Sequence, residues 1–225
     1  MPGKLFIVAT PIGNLKDITF RAVETLKEVD LVACEDTRYT RKLLLHYGIH
    51  TPTTSYFEHN KIQKGEYLAQ LLKDGKNIAL VSDSGTPGIS DPGFNIINVA
   101  IKNNIQVTVI PGPCALIAAL VQSGMPTDSF IFQGFLSHKK AKRRKQLDAM
   151  GEEKRTIILY ESPHRLLKAL DDIKDVLGDR EIVVARELTK MFEETFRSTV
   201  SEAIQHFTNK APRGEFALII KGKTP

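Results

Sequence analysis

Tryptophan is absent, cysteine occurs only twice in 225 residues, and no apolar stretch approaches the roughly 20 residues of a membrane-spanning helix. Each absence closes a class of function. Cys34 and Cys114 are far apart and belong to no CxxC pair, which argues against a disulfide framework or a zinc site and suits reduced thiols in a cytosol. The apolar run in MPGKLFIVATPIGN stops at Thr10 and Pro11, too soon for an export signal, so a cytoplasmic protein with no membrane partner is expected. There is no GxGxxG after a strand, no GxxxxGK[ST], no GxSxG elbow and no HExxH. The six histidines show no ligand spacing, so nothing suggests a metal.

Charge is what the chain has in an uneven distribution. The formal net charge is +5, yet HKKAKRRK (138–145) alone holds six Lys or Arg, leaving 25 cations against 26 anions elsewhere. Such a run can be a solvated helix face; its density and a pI near 9.1 favour a polyanion, with phosphates the obvious candidates.

Pattern gives the fold class. KLFIVAT reads as a strand buried on both faces, and ITFRAVETLKEV carries helical spacing with Asp17 placed as its cap. Strand and helix then alternate: DLVACE, TRYTRKLLLHYG, IQKGEYLAQLLKDG, NIALVS, GFNIINVAIKNN opened by Asp91 and Pro92, IQVTVI, and ALIAALVQSG. GMPTDS has linker composition. Beyond it FIFQGF, the basic helix, RTIILYE, a helix opened by Ser162 and Pro163, EIVVAREL, EETFRSTV, SEAIQHFTN and EFALIIKG follow. Two strands with no helix between them imply an antiparallel pair. The expectation is two α/β domains, residues 1–124 with a mostly parallel sheet and residues 125–225 with a mixed sheet.

Four turn-rich loops, ATPIGNLKD, CEDTRYTRK, SDSGTPGISDPG and IPGPCA, fall at the carboxyl ends of the first domain's strands. Ligands of open α/β sheets bind there. Gly85 and Gly88 permit positive φ and let a ligand approach the main chain, while Pro87 stiffens the loop.

LFIVATPIGNLKDIT, ACEDTRYTRKLL, VSDSGTPGISDPG, VIPGPCALIAAL, YESPHRL, RELTKMFEE and RGEFAL occur in the order seen in the tetrapyrrole methylase family. From Leu5 to about Leu218 the chain resembles the branch of that family that acts on small-subunit ribosomal RNA. The resemblance implies S-adenosylmethionine in the cleft between two α/β domains, a homodimer, and 2′-O-methylation of a cytidine ribose in the decoding region of 16S rRNA. Pro11 matches the proline beside the cofactor. Gly85, Thr86, Pro87 and Ile89 match the loop holding its amino acid and ribose. Thr86 stands where other branches carry aspartate, so a hydroxyl or nearby Asp83 must take over that carboxylate's role. Cys114 and Ala115 match the adenine side, and Tyr160 a position that closes over the cofactor. Members of the branch commonly continue past GEFAL, whereas this chain stops at Pro225.

For the chemistry, the polar candidates in the motifs are Glu35, Asp36, Arg38, Glu161, Arg186, Glu187, Lys190 and Glu194. Asp36 or Glu187 is expected to accept the ribose proton, with Lys190 grouped beside them. Arg38, Arg186 and Lys190 are expected to hold phosphates near the reaction, and Lys139, Lys140, Arg143 and Arg144 to bind the RNA backbone. Two alternatives are a methylase of a tetrapyrrole precursor, which the basic run argues against, and an inactive RNA-binding relative, which the intact cofactor loops argue against.

Overall fold

The computed structural model describes residues 1–91 and 93–224; Pro92, expected to begin a helix, lies outside the described residues. The chain divides into two compact units, Met1–Cys114 and Ala115–Pro225.

In the first unit β1 (Lys4–Val8), β2 (Leu31–Cys34), β3 (Thr53–Ser55), β4 (Ile78–Leu80) and β5 (Gln106–Ile110) form a sheet of order β3-β2-β4-β1-β5, with every pair parallel. Because side chains alternate across a strand, one chain segment feeds two cores. Leu5, Ile7, Ile78 and Leu80 pack with Leu68 and Leu72 of α3 (Lys61–Lys73) and with Ile96 and Ala100 of α4 (Gly93–Lys102). Val8, Val32, Ala79 and Val81 pack with Ala22 and Leu26 of α1 (Phe20–Glu28) and Leu44 of α2 (Thr37–His46). Each fully buried aliphatic side chain contributes about 1.5–3 kcal/mol, so a strand used on both faces stabilises the sheet twice over. Thr19 caps α1 by accepting the Ala22 N–H at 3.1 Å, and Asp17, the expected cap, instead ends a preceding 3₁₀ turn.

The second unit holds α5 (Ala115–Ser123), β6 (Phe130–Phe135), α6 (Lys140–Asp148), β7 (Thr156–Glu161), α7 (Leu166–Leu177), β8 (Glu181–Arg186), β9 (Glu194–Thr199), α8 (Val200–Asn209) and β10 (Phe216–Ile220). Its sheet runs β6-β7-β10-β8-β9, with β6 and β7 parallel and the other pairs antiparallel. The carboxyl ends of β6, β7 and β8 therefore share one edge. α5 packs on β8 and β10, so the structural division precedes this helix, whereas the linker composition at 124–129 follows it. Among the described residues no helix is long and apolar enough to cross a membrane.

The basic run does not present all its cations to solvent. Arg143, expected to bind RNA, is 6% exposed and faces Asp172 of α7, itself 3% exposed. Its Nη2 lies 2.6 Å and its Nε 2.7 Å from Asp172 Oδ2, while Nη1 donates to the carbonyls of Ser137 and His138. Arg144 bridges Asp172 Oδ1 at 3.2 Å and Asp175 at 2.9 Å. A helix can turn only part of its circumference to solvent, and here α6 spends two arginines on locking itself to α7. Lys139, Lys140, Lys142 and Lys145 stay exposed.

Removing one partner of a buried pair strands the other charge, which costs about 3–5 kcal/mol. Asp172→Ala is expected to lose stability in that range in denaturant unfolding, while Lys139→Ser and Lys140→Ser stay within about 0.5 kcal/mol of the wild type.

Candidate functional site

The β4 loop binds the other three first-unit loops together. Thr10 and Gly85 exchange paired backbone hydrogen bonds, Thr10 N–H to Gly85 O at 2.9 Å and Gly85 N–H to Thr10 O at 3.1 Å, which sets Pro11 beside the glycine turn. Asp83 Oδ1 accepts the Asp36 N–H at 3.1 Å and ties in the β2 loop. Thr86 Oγ1 donates to Pro113 O at 3.0 Å and ties in the β5 loop, next to half-buried Cys114. Gly85 has φ +84°, a conformation that favours glycine, and a Cβ there would sit a tight 3.2 Å from Ile12 Cγ2. Thr86 works as a brace between loops. Pro87 is buried and Ile89 half-buried in the same turn. Asp91, read as a helix starter, does more: its carboxylate accepts the Gly88 N–H at 2.8 Å and the Gly93 N–H at 2.7 Å, closing the loop onto α4.

Four carboxyls gather along this edge with different fates. Asp36 caps α2 and receives Arg38 both from its backbone and from its guanidinium, at 2.8 and 3.0 Å. The hydrogen bonds from Arg38 pull the Asp36 carboxyl down to about 2. Glu35, one residue earlier, is half-buried and, among the described residues, has no hydrogen-bond or ion-pair partner. Burial, reinforced by Asp83 and Asp91, pushes its carboxyl up to about 7. Asp83 and Asp91 are also raised, chiefly by burial. Three carboxyls whose ionised forms are disfavoured in one place make an environment that a cationic ligand would relieve.

In the second unit the sequence candidates lie at the shared edge of β7, β8, β9 and β10. Tyr160 packs edge-on to Phe132, with ring centroids 4.9 Å apart. Buried Glu161 accepts from Ser162 N–H and Arg165 and holds the turn before α7, which starts at Leu166 rather than at Ser162. Arg186 pairs with Glu194 at 3.0 Å. Glu187 has φ +49° and accepts from Lys190 Nζ and the Glu215 N–H, each at 2.9 Å. Burial works to raise the Glu187 carboxyl, but these two donors outweigh it and leave it lowered. Gly214 makes the room: a Cβ there would lie 2.4 Å from Glu187 Cγ and Cδ. Arg38 is occupied by Asp36, and Ala115 opens α5 in the second unit. Asp36 and Glu187 are thus both engaged by hydrogen-bond donors, Asp36 by Arg38 and Glu187 by Lys190 and the Glu215 N–H. The unpartnered Glu35 was legible only as one polar residue among eight, since nothing local in CEDT marks which carboxylate is desolvated.

The model of the Tetrapyrrole (Corrin/Porphyrin) Methylases matches residues 4–204. A Synechocystis protein named ribosomal RNA small subunit methyltransferase I is 55% identical over 224 residues, covering 99% of this chain and 80% of its own length. A Thermotoga maritima protein of the same name is 50% identical over 221 residues, covering 98% of this chain and 99% of its own. Among solved structures, a cobalt precorrin-4 methyltransferase superposes with a TM-score of 0.71 at 18% identity, covering 97% of this chain and 94% of its own. Shared fold, the family model over residues 4–204 and relatives identical at half of all positions agree: the chain belongs to the tetrapyrrole methylase family.

Proposed function

We propose that the protein is an S-adenosylmethionine-dependent methyltransferase that modifies the ribose 2′-oxygen of a cytidine in 16S rRNA, acting on the small ribosomal subunit in the cytoplasm as a homodimer. The observation that carries this reading is the likeness, at 48–55% identity over nearly the whole chain, to proteins named ribosomal RNA small subunit methyltransferase I. The first unit's loop edge supports it. S-adenosylmethionine, when bound, supplies an electrophilic methyl group on a positively charged sulfur. The residues present fit such a ligand, because the glycine turn is held in place by the Thr10–Gly85 bridge and the raised carboxyls of Asp83 and Glu35 suit its positive charge. Pro11, Asp83, Gly85, Thr86, Pro87, Ile89 and Cys114 would hold it.

A ribose hydroxyl is a weak acid, and a base positioned to receive its proton contributes roughly 10²–10⁴-fold when the base's pKa lies near the working pH. Asp36 at about 2 is too weak a base, and Glu187 is committed to Lys190 and Glu215. Glu35 at about 7 meets the requirement, and in this mechanism a Glu35 carboxylate oxygen takes the proton. The exposed Lys139, Lys140, Lys142 and Lys145 attract the phosphate backbone, a role from which Arg143 and Arg144 are withdrawn by their pairing.

Three experiments check the reading. Small ribosomal subunits, naked rRNA and a tetrapyrrole precursor are each incubated with methyl-labelled S-adenosylmethionine, and label is expected on a cytidine ribose of the RNA. Label confined to the tetrapyrrole overturns the substrate assignment. For the base, Glu35→Gln is expected to lower kcat by about 10²–10⁴-fold. Because the base must be ionised, kcat/KM of the wild type should climb about tenfold per pH unit below roughly pH 7 and level above it, a limb that Glu35→Gln removes and Asp36→Asn retains. Unchanged turnover in Glu35→Gln rules the role out. Finally, changing the four exposed lysines to serine should flatten the salt dependence of RNA affinity by about 0.7–0.9 in logarithmic slope per lost phosphate contact.

A further inference from the structure

The turn between β8 and β9 is built rigidly around two side chains that it has no internal use for. Glu187 and Thr189 adopt positive φ of 49° and 66°, unusual for residues with side chains. Lys190 N–H bonds Glu187 O at 3.0 Å and Glu193 N–H bonds Lys190 O at 3.1 Å. Both carboxylate oxygens of Glu193 are engaged, one by the Thr189 N–H at 2.8 Å and one by Gln122 at 3.0 Å. Lys190 spans Glu187 and Glu215. Leu188 is buried as the turn's anchor. What this bracing presents to solvent is Met191, 90% exposed, and Phe192, 67% exposed. Large apolar side chains held out together on a fixed turn mark a contact surface.

The chemistry beside them narrows the partner. Met191 and Phe192 form one wall of a concavity of about 610 Å³, whose other lining includes Arg186, Glu194, Lys210 and Arg213. Glu194 is already neutralised, by Arg186 at 3.0 Å and Lys210 at 2.8 Å, and lies within hydrogen-bond distance of His206 Nε2 at 2.9 Å. Arg213 has no acceptor for its guanidinium among the described residues. The volume lies within the range of small-ligand sites. An aromatic face, a polarizable thioether and an unpaired guanidinium around one hollow match an unstacked nucleotide: the base lies on the ring, and its phosphate meets the arginine.

Resting on the RNA-methylation reading above, we propose that the β8–β9 turn and Arg213 form a platform for an unpaired rRNA nucleotide, whose base stacks on Phe192 against Met191 and whose phosphate is held by Arg213. Neither the basic helix nor the cofactor loops take part in it. Its role is to hold single-stranded RNA by a base face, which every nucleotide offers, so it adds grip without selecting sequence.

The test uses the full chain and a fluorescently labelled single-stranded hexaribonucleotide, with Kd measured across a salt series. Phe192→Ala is expected to weaken binding roughly 5- to 150-fold, and Phe192→Trp to restore it. Arg213→Ser should reduce the logarithmic salt slope by about 0.7. Both side chains are exposed, so unchanged Tm is expected and separates lost binding from lost folding. Wild-type affinity in both Phe192→Ala and Arg213→Ser overturns the platform, as does a wild type that does not bind the hexamer. A change in molar mass by light scattering in Phe192→Ala, with RNA binding intact, assigns the surface to a second copy of the chain and also overturns it. Hexamer binding that follows this pattern in a protein that labels no RNA refutes the methylation reading and leaves the platform standing. Methylation by a wild type whose variants bind normally does the reverse.

Discussion

The paired hydrogen bonds between Thr10 and Gly85 are the constraint around which the first unit's loop edge is organised. Strand ends in a parallel sheet point the same way but are not otherwise obliged to converge, because each continues into its own helix. The bridge fixes β1 to the turn after β4. From that turn Asp83 reaches the β2 loop and Thr86 reaches the β5 loop. Loose loops would each lose conformational freedom on meeting a ligand. Loops already bonded to one another have lost it during folding, so more of the contact energy appears as affinity.

The same bracing sorts neighbouring acids into different trades. Asp36 and Glu35 are adjacent in sequence, yet one is saturated by Arg38 and the helix terminus while the other meets desolvation and two further carboxyls. Alternation around the strand end turns one carboxylate into a cap and leaves the next without a partner. The second unit shows a related division along α6, where Arg143 faces inward to Asp172 and Lys139, Lys140, Lys142 and Lys145 face solvent. In both cases chemistry follows from which way a side chain leaves the backbone, not from its identity.

That dependence marks how far the sequence alone could be read. The alternating strands and helices, the mixed second sheet and the four loops at strand ends were legible because periodicity and turn residues are local properties. β3 was not, since Thr53–Ser55 is three half-buried residues without alternation. The allegiance of α5 was hidden as well: ALIAALVQS is apolar on almost every side, and composition cannot say which sheet an apolar helix will cover. Arg143 read like its neighbours because its partner, Asp172, is distant along the chain. Met191 and Phe192 are the converse, an apolar pair that stands in solvent in a turn where Glu187 and Thr189 have positive φ, a conformation that composition does not announce.

A carboxyl poised near neutrality and left without a partner has one more consequence. A carboxyl raised to about 7 is divided between its protonated and ionised forms at pH 7, so Glu35 itself carries a fraction of a charge beside the ionised Asp36. A cation settling there completes the ionisation and expels the remaining proton, and by linkage an acid medium opposes that cation by the same free energy. Loading such an edge with positive charge and releasing a proton from Glu35 would then be coupled.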